Sequence, residues 1–214
     1  MTLRNWHLLL LILIITLLVA GGVLYAWLIV DLPPFHDLYG QAIAPTTKIY
    51  DRHGRLLYEI IDPHAGKHTP LPLDEIPLHL RQATIATEDA NFYTNPGVDL
   101  RSILRALIIN LRGGEVISGG STITQQLARN LLLSPEERFE RTLTRKLRES
   151  ILAWRMARTY SKDEILALYL NESYYGNLAY GVEAAAQAYF GKSVGELDLA
   201  ECTLLAGLPQ SPAI

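Results

Sequence analysis

Gly113-Gly-Glu-Val-Ile-Ser-Gly-Gly-Ser-Thr-Ile-Thr-Gln-Gln-Leu-Ala-Arg129 decides how this chain is read. Glycines lead into Ser121, Thr122, Thr124, Gln125 and Gln126, where a helix is expected to begin. Backbone N–H groups at a helix start, flanked by hydroxyls and amides, can hold an anion such as a phosphate. The lysine spacing of an ordinary nucleotide P-loop is missing. A flexible loop followed by a capped helix is the plainer reading. Two consecutive glutamines beside Arg129 are hard to justify as scaffold alone.

Upstream lies Ala86-Thr-Glu-Asp-Ala-Asn-Phe-Tyr-Thr-Asn-Pro-Gly97, where Glu88 and Asp89 are adjacent at the end of an expected helix. Neighbouring carboxylates in a partly enclosed site push one pKa upward, which suits a general acid or base. An acidic helix face would look the same. Downstream, Ser134-Pro-Glu-Glu137 has a cap residue, proline at the first helical position and acids in the first turn. It is expected to open one long helix with an apolar line through Phe139, Leu143, Leu147, Ile151 and Trp154. Arg145, Lys146 and Glu149 share a face beside that line, either as a surface salt-bridge ladder or as a cationic site for a departing pyrophosphate.

Other helices carry their own signals. Asp99 precedes an amphipathic run, Leu100 to Ile109. Ser161 with Glu164 and Asp198 with Glu201 are capping-box patterns, and Gly191 is placed to end a helix over Ala184 to Phe190. The stretch Leu168 to Gly191 is dense in small and aromatic residues, which reads as structural support. Before these helices, apolar and aromatic residues flank a turn at Asp51 to Gly54, so a short β-hairpin is expected. His64 and His68 are four apart but sit between Pro63 and Gly66, and read as a solvated loop rather than metal ligands.

Leu8 to Val30 is 23 residues without a charge. As a helix it would extend roughly 34 Å, enough to cross a hydrocarbon core. Its length favours an uncleaved signal anchor over a cleaved signal peptide, although Ala20, Gly21 and Gly22 offer small residues to a peptidase. Arg4 before the span and Asp31 after it leave residues 1–7 as a cytoplasmic tail and put the domain outside. Residues 31–45, with Pro33, Pro34, Gly40 and Pro45, read as a stalk, and residues 46–214 as the domain. Beyond residue 30 about 45% of residues are apolar, an ordinary globular share that excludes both a polytopic membrane protein and disorder. A net charge of −3 supplies no basic field for nucleic acid. A single cysteine, Cys202, excludes an internal disulfide and a multi-cysteine zinc site.

Taken together, these stretches resemble the peptidoglycan glycosyltransferases of glycosyltransferase family 51, found in class A penicillin-binding proteins. The resemblance rests on Glu-Asp-x-x-Phe at 88–92, Gly-Gly-Ser-Thr-Ile-Thr-Gln-Gln at 119–126 and Arg-Lys-x-x-Glu at 145–149. It continues from Tyr169-Leu-Asn through Tyr189-Phe-Gly191 and ends at Leu205-Ala-Gly-Leu-Pro-Gln-Ser-Pro212, covering residues 45 to 214 or so. It implies a mainly α, lysozyme-like helical domain with a small β element, preceded by one transmembrane helix. It also implies lipid II and the growing glycan as substrates, the bacterial cytoplasmic membrane as location and cell-wall synthesis proteins as partners. By this match Glu88 is the base and Glu149 the second glutamate, which positions groups or binds a cation. Asp89, Phe92, Ser121, Thr122, Gln125, Gln126, Arg129, Arg145 and Lys146 would contact substrate. No cofactor is required by the resemblance, but some members use a divalent cation, Mg or Mn, which would sit near Glu149.

Two positions depart from the pattern: Asn95 stands where the family usually has His, and Arg129 where it often has Lys. Asn95 cannot titrate near neutrality, and Arg129 keeps the charge without the ammonium geometry. No Ser-x-x-Lys or Lys-Thr-Gly occurs, so transpeptidase activity is not expected of this chain. Ile214 follows the fifth motif closely, which reads as a domain cut from a longer protein. A lysozyme-like hydrolase is the rival within this chemistry, though it has no use for a cationic pyrophosphate site. A silent membrane-anchored scaffold is the rival outside it.

Overall fold

A computed structural model describes residues 3–29, 38, 40, 42–61, 66–99, 120–140 and 142–210. The architecture is mainly helical with small sheets, as the sequence reads. Helix α1 is Leu3–Ile29, 27 residues long. Counting only the described residues, no helix is long and apolar enough to cross a membrane, and the uncharged stretch runs on to Val30, outside them. The amphipathic run after Asp99 also lies outside the described residues.

Strands β1 (Thr47–Tyr50) and β2 (Leu56–Ile60) form the expected antiparallel hairpin. Its turn is held by Asp51, whose Oδ1 accepts the N–H groups of His53 and Arg55, both at 2.8 Å. Gly54 takes φ 80°, a left-handed value that favours glycine. A second, parallel pairing joins β3 (Lys67–His68) to β4 (Ala179–Tyr180) and has no counterpart in the sequence reading. It corrects the solvated-loop reading of His68. That side chain is buried, with Nε2 3.1 Å from the Asn171 carbonyl and 3.4 Å from Glu172 Oε1.

Helices α2 (Leu78–Glu88), α3 (Ile123–Leu132), α4 (Pro135–Phe139), α5 (Leu143–Thr159) and α6 (Lys162–Glu172) follow, then α7 (Val182–Phe190) and α8 (Leu199–Gly207). Local chemistry sets most of their ends. Thr122, Ser134, Ser161 and Asp198 each make a reciprocal capping box, and Gly191 closes α7 at φ 68°. α3 is the central element and packs against both α5 and α6, while α2 packs against α8. Leu80, Phe92, Ile123, Leu127, Leu152, Met156, Ile165 and Tyr169 are among the side chains that fill the core.

The helix expected to run unbroken from Ser134 is two helices. Glu140 is extended at ψ 136°, and a new N-cap, Thr142, starts α5. The apolar line assigned to it faces outward: Leu143 is 85% exposed, Leu147 51% and Trp154 45%. The buried stripe is Glu149, Leu152, Ala153 and Met156. Small Ala153 lets the loop after α2 approach closely. A Cβ on Gly97 would lie 2.5 Å from the Ala153 carbonyl oxygen.

Candidate active site

The end of α2, the start of α3 and the start of α5 converge. Glu88, the last residue of α2, accepts a 2.6 Å hydrogen bond on Oε2 from Gln126 Nε2. Gln126 Oε1 accepts in turn from the Tyr169 hydroxyl at 3.3 Å. The other Glu88 oxygen, Oε1, is buried and has no hydrogen-bond partner among the described residues. An unsatisfied buried carboxylate oxygen is costly in a resting fold, so it marks a place where a donor is expected to enter. Burial, reinforced by the Glu88 charge, pushes the Tyr169 hydroxyl well above the usual tyrosine range, so it stays a donor.

Glu88 and Asp89 do not act as a coupled pair. Asp89 is buried and its carboxylate is committed elsewhere, accepting Asn95 Nδ2 on both oxygens at 2.9 Å and the Ile123 N–H at 3.3 Å. Burial pushes its carboxyl up, opposed by the Asn95 and Ile123 hydrogen bonds and by the Lys162 charge. The upward shift expected from adjacent carboxylates is present, and burial is its cause.

The two glutamines part company. Gln125 is fully buried and completes the α3 capping box: its Oε1 accepts the Thr122 N–H at 3.0 Å and its Nε2 donates to Ser150 Oγ at 2.9 Å. The geometry gives Gln125 to the helix cap, not to a cavity. Thr122 is spent likewise, its hydroxyl donating to the Gly97 carbonyl at 2.6 Å. Phe92 is a core residue, edge-on to Tyr93 at 5.2 Å.

Arg145, Lys146 and Glu149 form one cluster. Glu149 is fully buried, and its Oε2 takes Arg145 Nη1 at 2.8 Å while its Oε1 takes Lys146 Nζ. Lys146 also donates to Ser121 Oγ at 2.7 Å, which ties the cluster to the Glu88 side.

Glu88 and Gln126, joined by their hydrogen bond, line two different cavities. One, of about 260 Å³, is lined by Glu88, Asp89, Asp99, Ser121 and Thr122. The other, of about 490 Å³, is lined by Gln126, Arg129, Arg138, Tyr174, Tyr180 and Ile43 among others. The first cavity is acidic; the second carries two arginines against one carboxylate, Glu172, and so keeps a net positive charge. Burial is the main influence lowering the Arg138 guanidinium; Tyr180 opposes it and the nearby Arg129 charge adds to it. The two guanidiniums outnumber the Glu172 carboxylate, one oxygen of which accepts the Ile43 N–H, so the space favours an anion.

A family model described as transglycosylase matches residues 53–214. The chain belongs to the transglycosylase family. It is 50% identical over 167 residues to penicillin-binding protein 1A of Aquifex aeolicus (strain VF5), covering 78% of this chain and 22% of that protein. It is 45% identical over 199 residues to penicillin-binding protein 1A of Escherichia coli (strain K12), covering 92% and 23%. For the Pseudomonas aeruginosa PAO1 protein of the same name the identity is 40% over 189 residues, covering 88% and 22%. The chain thus spans less than a quarter of the length of these curated relatives.

The helical fold with small sheets accords with a lysozyme-like transglycosylase domain. Within this transglycosylase, Arg138 is a cavity-lining cation that the sequence reading missed. It sits four residues beyond Ser134 on α4, where helix-start signals drew attention instead. Tyr169 lies in the small-residue and aromatic stretch that reads as packing support, yet its hydroxyl reaches Gln126. A divalent cation does not fit Glu149 as these side chains stand, because both of its oxygens are occupied by cationic groups. Among the described residues no group of three histidines, cysteines or acids could hold a metal ion.

Proposed function

We propose that this transglycosylase is an inverting peptidoglycan glycosyltransferase that polymerises lipid II into β-1,4-linked glycan with release of undecaprenyl pyrophosphate. The observation that carries the reading is Glu88: one oxygen is held by Gln126, the other is buried with no hydrogen-bond partner among the described residues, and Glu88 lines the acidic cavity while Gln126 lines the cationic one. The acceptor sugar's 4-hydroxyl donates its proton to Glu88 Oε1 as its oxygen attacks C1 of the lipid-linked donor. The C1–O bond to pyrophosphate breaks, and the electron pair leaves with the pyrophosphate toward Arg129 and Arg138. The proton on Glu88 is then lost to water, restoring the base.

The remaining assignments follow from position. Ser121 lines the acidic cavity and orients sugar hydroxyls there; Lys146 holds its hydroxyl, and Glu149, which also pairs with Arg145, holds Lys146. Asp89, Thr122, Gln125 and Phe92 build the frame. Residues 8–30 are the membrane anchor, 1–7 the cytoplasmic tail, 31–45 the stalk and 46–214 the catalytic domain, on the outer face of the bacterial cytoplasmic membrane. α1 touches α5, whose outward line Leu143, Leu147 and Trp154 is apolar, which supports a membrane-side placement.

Polymerisation of labelled lipid II by the detergent-solubilised chain tests the reading, with Glu88→Gln alongside. Long glycan from the wild type and none from the variant is the expected result. Shortening of preformed glycan would instead make the protein a hydrolase, and no polymer from folded wild type would leave it a scaffold.

A further inference from the structure

Asp89 lies at the centre of a buried polar cluster that reaches across to α6. Its carboxylate takes both Asn95 contacts and the Ile123 N–H. Asn95 Oδ1 accepts the Gly97 N–H at 2.9 Å and Lys162 Nζ at 3.2 Å. The Lys162 ammonium also stands 4.7 Å over the Phe92 ring, a cation–π distance. Lys162 is the first residue of α6, behind its N-cap Ser161. The adjoining Gly97 carbonyl accepts the Thr122 hydroxyl, so the whole cluster bears on the start of α3. One turn further along α3 is Gln126, the residue that grips Glu88.

We propose that Lys162 is a positioning residue for glycosyl transfer: through Asn95 and Asp89 its ammonium fixes the start of α3, and with it Gln126 against Glu88. The proposal rests on Glu88 being the base. The physical reason is reciprocal. Asp89 needs two acceptor oxygens to hold both Asn95 contacts while receiving Ile123, and only the ionised carboxylate keeps every lone pair free. Burial works against that state in Asp89 and against the charged state of Lys162, and each charge supports the other. Facing Asp89 are Lys162 on α6, Asp99 beyond the loop, and its chain neighbour Glu88; the Asp99 charge opposes ionisation. Lys162 is the cation that acts on Asp89 in this set.

The test uses the full 214-residue chain in detergent. Lys162→Met is expected to lower kcat by roughly tenfold or more, as a small misplacement of a reacting group does. KM for lipid II changes little, because Lys162 lines neither cavity at the reacting groups. The acid limb of the kcat–pH profile moves to higher pH, and Lys162→Arg recovers most of both effects. An unmoved acid limb, or an arginine variant as poor as the methionine one, would overturn the proposal. Should Lys162→Met not fold, Lys162→Gln keeps a donor for Asn95 without the charge and carries the same expectation. Carbon NMR of the Asp89 carboxyl gives a readout without turnover: its titration moves upward in the uncharged variants if the cluster works this way and stays put if it does not. Wild type that makes no polymer would refute the glycosyltransferase reading, while the Asp89 titration would still decide the role of Lys162 in the cluster.

Discussion

Gln126 Nε2 stands 2.6 Å from Glu88 Oε2, and Gln125, the residue before it, donates instead to the Ser150 hydroxyl. Successive helical positions lie about 100° apart, so one amide enters the cavity wall and the other the core. On the proposed mechanism the pair separates catalysis from stability. We predict that Gln126→Ala lowers kcat roughly tenfold or more, with a melting temperature close to wild type. Gln125→Ala should do the reverse, costing about 1–3 kcal/mol because the buried Thr122 N–H loses its acceptor. Paired lipid II assays and thermal melts distinguish them; equal losses of activity in both would contradict the division.

Gly97 combines φ 92° with a Cβ position 2.5 Å from the Ala153 carbonyl oxygen. Gly97→Ala should be destabilising by more than about 1 kcal/mol, since the added carbon meets rigid backbone and the left-handed conformation is itself strained. Urea unfolding of the variant is the check. A midpoint equal to wild type would mean that the loop can move away from α5 at no cost.

α5 is predicted to respond to substitution opposite to its hydrophobicity. Met156→Ala, on the buried stripe, should cost about 2–5 kcal/mol. Leu143→Gln, at a position 85% exposed, should stay within about 0.5 kcal/mol of wild type. Denaturant midpoints of the two variants in detergent give the comparison directly.

Asp89 yields a pH prediction with an unusual sign. Its folded carboxyl titrates above the ordinary value of 3.8, so from that pH up to its raised value the native state binds more protons than the unfolded chain. Stability contributed at this site therefore falls as pH rises through that window. Asp89→Asn should remove that part of the slope. A stability–pH series on both proteins, starting near the ordinary aspartate value, would show parallel curves if the shift were absent.

Local chemistry was the legible part of this protein. Ser134, Ser161, Asp198 and Gly191 mark helix ends because a cap needs only three or four neighbouring residues. The Asp51–Gly54 turn was legible for the same reason. Orientation was not. Two stripes on α5 are compatible with helical spacing, and the larger side chains lie on the outward one, because the inward one must admit Gly97 against Ala153 and bury Glu149 between two cations. The β3–β4 pairing is two residues per strand and joins segments more than 100 positions apart, so no periodicity could announce it. Glu88, Gln126 and Arg129 stand in motifs, but Arg138 stands in none, and only the folded chain brings it to the cavity.

The Ile43 N–H donates to Glu172 Oε2 at 2.9 Å, and Ile43 also lines the cationic cavity. Leu38 is already fully buried in the core, and eight residues separate it from Ile29, the end of α1. Fully drawn out, that leash reaches roughly 30 Å. With α1 seated in the bilayer as proposed, the core itself is the leash's far knot, so the enzyme patrols a thin layer above the membrane and never samples bulk solvent. Encounter with a lipid-borne donor then becomes a search over an area instead of a volume. Lengthening the leash should therefore slow turnover at sparse substrate far more than at saturation.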